Sequence, residues 1–287
     1  MSARLIARLE SGEILYDTTK ICYGLVKSGY LSYFENWRQL RKRGINVDPN
    51  IGSSWVDQGV PGINQYGFTV DNPRSPIVFL VGKGLVTGVK VSGNSKTYLY
   101  AGASEATKFY CFDLMADDEV NGPGLKSRSN NGVVTFNSRQ APLNVIAAVT
   151  APVPGTPNRF GRPVTTYVGG RNERISFQTT GGCASVHSVV DVPLPGGYEY
   201  AAFLPWSRSC GIVDPYAYNT SGGDIYGVSE GAYGRNGGMS FFFGSPGKTT
   251  MDQWFGRDGE INFYLMPTDR YPTALVIKTA GLPFPFN

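Results

Sequence analysis

Apolar residues in this chain come in short runs, and glycine, proline, asparagine or serine ends each run within roughly four to seven residues. The stretches 77–81, 85–91, 97–100 and 108–114 follow this rule, as do 132–138 and 143–149. Runs of that length are too short for ordinary helices and match strands joined by tight turns. The composition agrees. With 37 Gly and 19 Pro among 287 residues, and only 17% charged residues, the chain is poor in what solvent-facing helices are made of. The expected fold class is all-β, built of β-sandwich-type modules with short strands. One short helix is expected over 31–43, where Leu31, Phe34, Trp37 and Leu40 recur at i, i+3. It would stop at Gly44, with Arg41, Lys42 and Arg43 favouring the helix dipole in its last turn.

The same reading excludes several classes. A hydrophobic content of 41% and a net charge of +4 argue against disorder. No run approaches the roughly 20 apolar residues of a membrane helix, so no stable membrane insertion is expected. The first residues, Met1 to Ile6, lack the apolar core of a signal peptide and read as the start of a protein made in the cytoplasm. Cys22, Cys111, Cys183 and Cys210 show no ligand spacing and are expected as small buried thiols. A pI of 8.8 is too mild to indicate a nucleic-acid partner.

Two segments repeat each other. Gly12-Glu13-Ile14-Leu15-Tyr16-Asp17-Thr18 and Gly132-Val133-Val134-Thr135-Phe136-Asn137-Ser138 share the order glycine, any residue, aliphatic, any residue, aromatic, Asp or Asn, Thr or Ser. A turn glycine opens each strand and an Asx-type residue closes it. The match suggests two similar β units, 1–121 and 122–287, with the boundary near the acidic loop 117–124. Convergence of two ordinary hairpins on one pattern is the alternative reading.

The motifs that name chemistry fail on context. Gly227-Val228-Ser229-Glu230-Gly231 fits G-x-S-x-G, but a glycine-rich tract follows where a helix is required, and His187 precedes the serine. Gly244-Ser245-Pro246-Gly247-Lys248-Thr249 ends like a phosphate loop, yet Phe242 stands where the first glycine belongs. His187 is the single histidine and cannot build the usual zinc site. Asp113, Asp117, Asp118 and Glu119 lack calcium-loop spacing and read as solvated. Arg38, Arg41, Lys42 and Arg43 beside Trp37 read as the wet side of the expected helix. No cofactor and no metal are expected. Asp214, Asp224, Asp252, Asp258 and Glu260 keep open the alternative of a glycan hydrolase (a depolymerase) using an Asp/Glu pair. In residues 196–247 tyrosine and glycine concentrate together, and Trp206, Tyr216, Tyr218, Tyr226 and Tyr233 are candidate contact residues. The alternative there is that these rings fill a second β core.

The segment from Phe109-Tyr110-Cys111-Phe112-Asp113 through Gly124-Leu125, Gly132 to Ser138 and Pro142-Leu143 resembles a small family of uncharacterised tail proteins of long-tailed (siphovirus-type) bacteriophages. Its members carry an aromatic strand ending in Phe-Asp, then Gly-Leu, a hairpin with Gly-x-Val-x-Phe-Asp-Ser, and Pro-Leu. Asn137 replaces the usual Asp here, and Ala141 the usual charged residue. The resemblance covers roughly residues 1–150 on these hairpin signals. It implies a non-enzymatic structural protein of a phage tail tip or central fibre, located in the virion and involved in host attachment. The first module would anchor to other tail-tip proteins and the second would meet neighbouring subunits, as in a homotrimer, or a bacterial surface receptor.

Overall fold

The computed structural model describes residues 6–8, 10, 12, 14–17, 20–38, 40–42, 55–56, 62–117, 124–176, 184–215, 222–248, 250–254 and 259–286. Among them the chain is all-β, without a helix and without a closed barrel. The first half contributes β1 (Ile6–Arg8), β2 (Ile14–Asp17), β3 (Tyr23–Tyr30), β4 (Ser32–Trp37), β5 (Leu40–Lys42), β6 (Trp55–Val56), β7 (Ile63–Asp71), β8 (Ile77–Val81), β9 (Leu85–Ser92), β10 (Ser95–Ala101) and β11 (Lys108–Leu114). The second contributes β12 (Lys126–Arg128), β13 (Val134–Asn137), β14 (Ala147–Thr150), β15 (Arg171–Ser176), β16 (Ala184–Pro193) and β17 (Tyr200–Phe203). It continues with β18 (Ser209–Pro215), β19 (Gly223–Arg235), β20 (Gly238–Gly244), β21 (Thr250–Trp254), β22 (Asn262–Tyr264) and β23 (Thr273–Lys278).

Alternation along the strands decides which face is buried. In the first half, β3-β11-β8 forms one sheet and β4-β7-β10-β9 another. Val78, Leu80, Phe109 and Cys111 point from the former, and Phe68, Val70 and Tyr100 from the latter, into one apolar layer. Phe68 and Phe109 stack across it with ring centroids 3.7 Å apart. This is a β-sandwich core closed by period-two patterning.

The second half repeats the seven-strand sandwich of the first, to which β5 and β6 in one half and β18, β21 and β22 in the other are additions. Sheet β15-β16-β20-β19 copies the order β4-β7-β10-β9, and β14-β23-β17 copies β3-β11-β8. Each sandwich is preceded by its own hairpin, and the two hairpins have one register. Ile6, Ala7 and Arg8 face Asp17, Tyr16 and Ile14, while Lys126, Ser127 and Arg128 face Asn137, Phe136 and Val134. Both slip by one residue at the arginine, and each arginine donates to the turn carbonyl, Arg8 to Gly12 and Arg128 to Gly132. Gly12 and Gly132 stand at φ of 87° and 76°, where a side chain would be strained. The repeated motif in the sequence therefore marks a repeated architecture.

The halves share structure. Leu80 of β8 faces Ala202 of β17, so β3-β11-β8 continues into β17-β23-β14. One side of this joint sheet lines both sandwich cores. The other side carries Leu25, Phe79, Phe112, Ala201 and Ile277, packed against Leu282, Phe284 and Phe286 of the closing segment. Phe242, on β20 of the second half, is buried in the first half's core.

The helix expected over 31–43 is corrected by the structure. Ser32–Trp37 is strand β4, paired antiparallel with β7, and Leu40–Lys42 is strand β5, paired with β6 and β21. An i, i+3 step joins opposite faces of a strand, which is why Leu31 is buried while Phe34 is exposed. The segment is rich in aromatics, which fit a pleated surface, and Tyr33 meets Tyr66 across the strand pair. Arg38, Arg41 and Lys42 thus lie on or beside strand and not on a helical face, and Arg43 lies outside the described residues.

His187 sits where the halves meet, buried against Phe242 with ring centroids 5.4 Å apart, and the Lys83–Glu173 ion pair lies beside it. Burial, reinforced by the Lys83 charge, pulls its pKa down to about 4. The folded state therefore binds this proton less well than the unfolded chain, whose histidine titrates near 6.5. Stability from this group is complete above pH 6.5 and falls as the pH drops from there toward 4. Urea unfolding at pH 7 and pH 5 is expected to differ by roughly 2 kcal/mol through this residue. The difference should vanish in His187→Leu, and its persistence there would exclude His187 as the source.

Candidate functional site

A cleft of about 250 Å³ opens where the two halves join. Leu80 of β8, Val86 of β9, Tyr100 of β10 and Ala232 of β19 line it, and the turn after β17 forms its far wall. That turn reads Phe203-Leu204-Pro205-Trp206-Ser207, and Trp206 at the mouth is 43% exposed. The space suits a single ring or side chain rather than an extended ligand.

A buried ion pair holds the turn in place. Arg208 donates from Nε and Nη2 to Glu230 of β19, both at 2.8 Å, and both side chains are fully buried. The backbones add to this, since the Glu230 amide donates to the Arg208 carbonyl at 2.9 Å. Tyr167 donates its hydroxyl to Glu230 Oε1 at 2.7 Å, and the guanidinium lies 4.8 Å from the Tyr271 ring centre. Burial first, then the Glu230 charge, pushes the Tyr167 hydroxyl far above its ordinary pKa, so it stays a proton donor. An arginine with every strong contact satisfied makes a stiff anchor two residues beyond Trp206.

The other candidate contact residues fall elsewhere. Tyr226 and Tyr233 are both buried within the chain. Tyr226 accepts from the Val186 amide at 3.0 Å and donates to Asp214 at 3.2 Å. Tyr233 packs edge-on to Phe242. Both positions lie on β19, a strand buried along most of its length, and alternation aims these rings into the cores. Tyr216 and Tyr218 lie outside the described residues.

The carboxylates proposed for glycan hydrolysis are partly brought together. Asp214 and Asp224 face each other across β18 and β19, and Ile225 beside Asp224 faces Asp252 of β21. Both Asp214 and Asp224 are buried, and Arg174 holds the Asp214 carboxylate at 2.7 Å. Burial raises the Asp214 pKa against the pull of Arg174. Asp252 is half-buried. Glu260 is exposed, and Asp258 lies outside the described residues.

The remaining motifs are absorbed by the fold. Ser229 stands in mid-strand, its hydroxyl 3.1 Å from that of Ser209, and not on a strand-to-helix turn. The turn 245–248 docks on the first half, where Gln65 donates to the Pro246 carbonyl and Lys248 lies 4.0 Å over Trp37. Asp113 is buried and not solvated as expected, accepting from the amides of Arg74 and Ser75; Asp117 pairs with Lys126 and Arg128, and Asp118 and Glu119 lie outside the described residues. Cys111 and Cys210 are buried free thiols, with burial pushing both up to about 12, and Cys22 is a free thiol too. Cys183 lies outside the described residues. Among the described residues no three His, Cys, Asp or Glu side chains gather as a metal site would require, and no helix could cross a membrane. No family model, curated protein or solved structure matches the chain.

Proposed function

We propose that the chain is a structural protein of a phage tail tip or central fibre, and that it takes part in host attachment. The observation that carries the attachment role is Trp206, a half-exposed ring on a turn clamped by a buried ion pair, at the mouth of an apolar cleft. A rigid, amphipathic ring presents contact area at little entropic cost. The tail assignment is supported by the hairpin motif with its Phe-Asp strand and following Pro-Leu, which resembles that of long-tailed phage tail proteins. On this reading the protein resides in the virion, next to other tail-tip proteins, and the cleft meets a bacterial surface receptor.

Two experiments test it. Electron microscopy of virions carrying a label on this chain is expected to place density at the tail tip, and unlabelled tips would end the proposal. Trp206→Ala is expected to weaken adsorption to host cells about tenfold or more without altering the folding midpoint. Unchanged adsorption would remove Trp206 from the contact. Release of reducing ends from host surface polysaccharide would instead support the hydrolase reading.

A further inference from the structure

The two hairpins are twins in register, yet an aliphatic position covered in one is open in the other. Hairpin β12–β13 is packed onto the first half. The Cys22 amide donates to Thr135 at 2.9 Å, and Asn137 donates its side-chain amide to the Ala116 carbonyl. Gln140 accepts from the Ala116 amide. Val134 on this hairpin is 6% exposed, whereas its twin in β2, Ile14, is 52% exposed. Gln140 is buried, whereas its twin Lys20 is exposed.

The receiving surface shows the same asymmetry. Leu25 in the first half is 1% exposed, covered by the segment that follows hairpin β12–β13, and its amide donates to Ala141 at 2.7 Å. The twin of Leu25 in the second half is Val145, and it is 40% exposed, as is the neighbouring Ile146. The twin of Ala141 is Ile21, 44% exposed. One donor hairpin and one acceptor surface are thus engaged inside the chain. The other hairpin and the other surface each present to solvent aliphatic side chains at the positions whose twins are covered inside the chain.

We infer that hairpin β1–β2 of one copy docks on the second half of another copy, with Ile14 and Ile21 covering Val145 and Ile146. The joint repeats between molecules the contact already made within one. It is heterologous, head to tail, so it closes into a ring or extends into a filament. It stands whether or not the protein belongs to a virion. Pro142 occupies the twin position of Cys22 and offers no N–H, so this joint lacks the backbone bond made by Cys22 and rests on apolar contact.

The test uses the full chain in sedimentation velocity at micromolar concentrations. Wild type is expected to self-associate. Ile14→Asp disables the hairpin and Val145→Asp the receiving surface, and each alone should dissociate at least about tenfold more readily. Both sites are exposed, so the unfolding midpoints should match wild type; Ile21→Ser and Ile146→Ser replace any variant that fails this check. The decisive arm mixes the two variants. Each keeps one intact surface, so the mixture should form a one-to-one pair and nothing larger. A monomeric wild type, an assembly indifferent to both substitutions, or a mixture that stays monomeric would each overturn the inference.

Discussion

Arg208→Ala is expected to lower the unfolding free energy by about 3–5 kcal/mol, because it strands the Glu230 carboxylate in the core without its cation. Glu230 is fully buried and takes its strong hydrogen bonds from Arg208 and Tyr167. Glu230→Ala should cost a similar amount, leaving the guanidinium with the Pro267 carbonyl and the Tyr271 and Phe243 rings. The double variant Arg208→Met/Glu230→Leu removes both charges together and is expected to be less destabilised than either single variant. Urea unfolding of the four proteins checks this, and strictly additive losses would show that the two side chains do not act as a pair. A second readout comes from Trp206. Its turn is held by Arg208, so its fluorescence should shift toward that of solvated indole in the single variants before global unfolding.

Phe242→Ala is the other change expected to cost about 3–5 kcal/mol, as buried phenylalanine truncations do. The ring belongs to β20, yet it is buried among Val78, Leu80, Tyr100 and Phe109 of the first half. The loss should therefore appear in both halves. Native-state hydrogen exchange is expected to quicken at amides of β7 and β10 as well as those of β16 and β20. Acceleration confined to the second half would show that the cores are energetically separate.

Much of this architecture was legible in the sequence. The glycine-bounded runs at 77–81, 85–91 and 108–114 correspond to β8, β9 and β11, because turn chemistry and period-two patterning are local signals. The repeat was visible only in its hairpins. There a fixed turn geometry demands glycine at 12 and 132, whereas β9 and β19 answer only to burial and diverge freely. The segment 31–43 misled because aromatics spaced at three fit one helix face and two strand faces equally well. The candidate site was half legible. Composition drew attention to 196–247 and so to Trp206. It could not tell that ring from Tyr226 and Tyr233, since exposure depends on what the other strands cover. The Arg208–Glu230 pair gave no local signal, because its partners lie on β19 and in the turn before β18.

The segment 279–286 has a consequence for how the protein is made. Ser28, near the middle of β3, exchanges backbone hydrogen bonds with Phe286 at 2.7 and 3.0 Å, and Phe284 rests on Tyr30 and Tyr110. A ribosome delivers β3 long before Phe286 emerges. Until then the part of the outer face around Ser28, Tyr30 and Tyr110 lacks its cover, and early strands wait, apolar side outward, for the last segment. Nascent chains halted before residue 279 should accordingly be the species most in need of a chaperone.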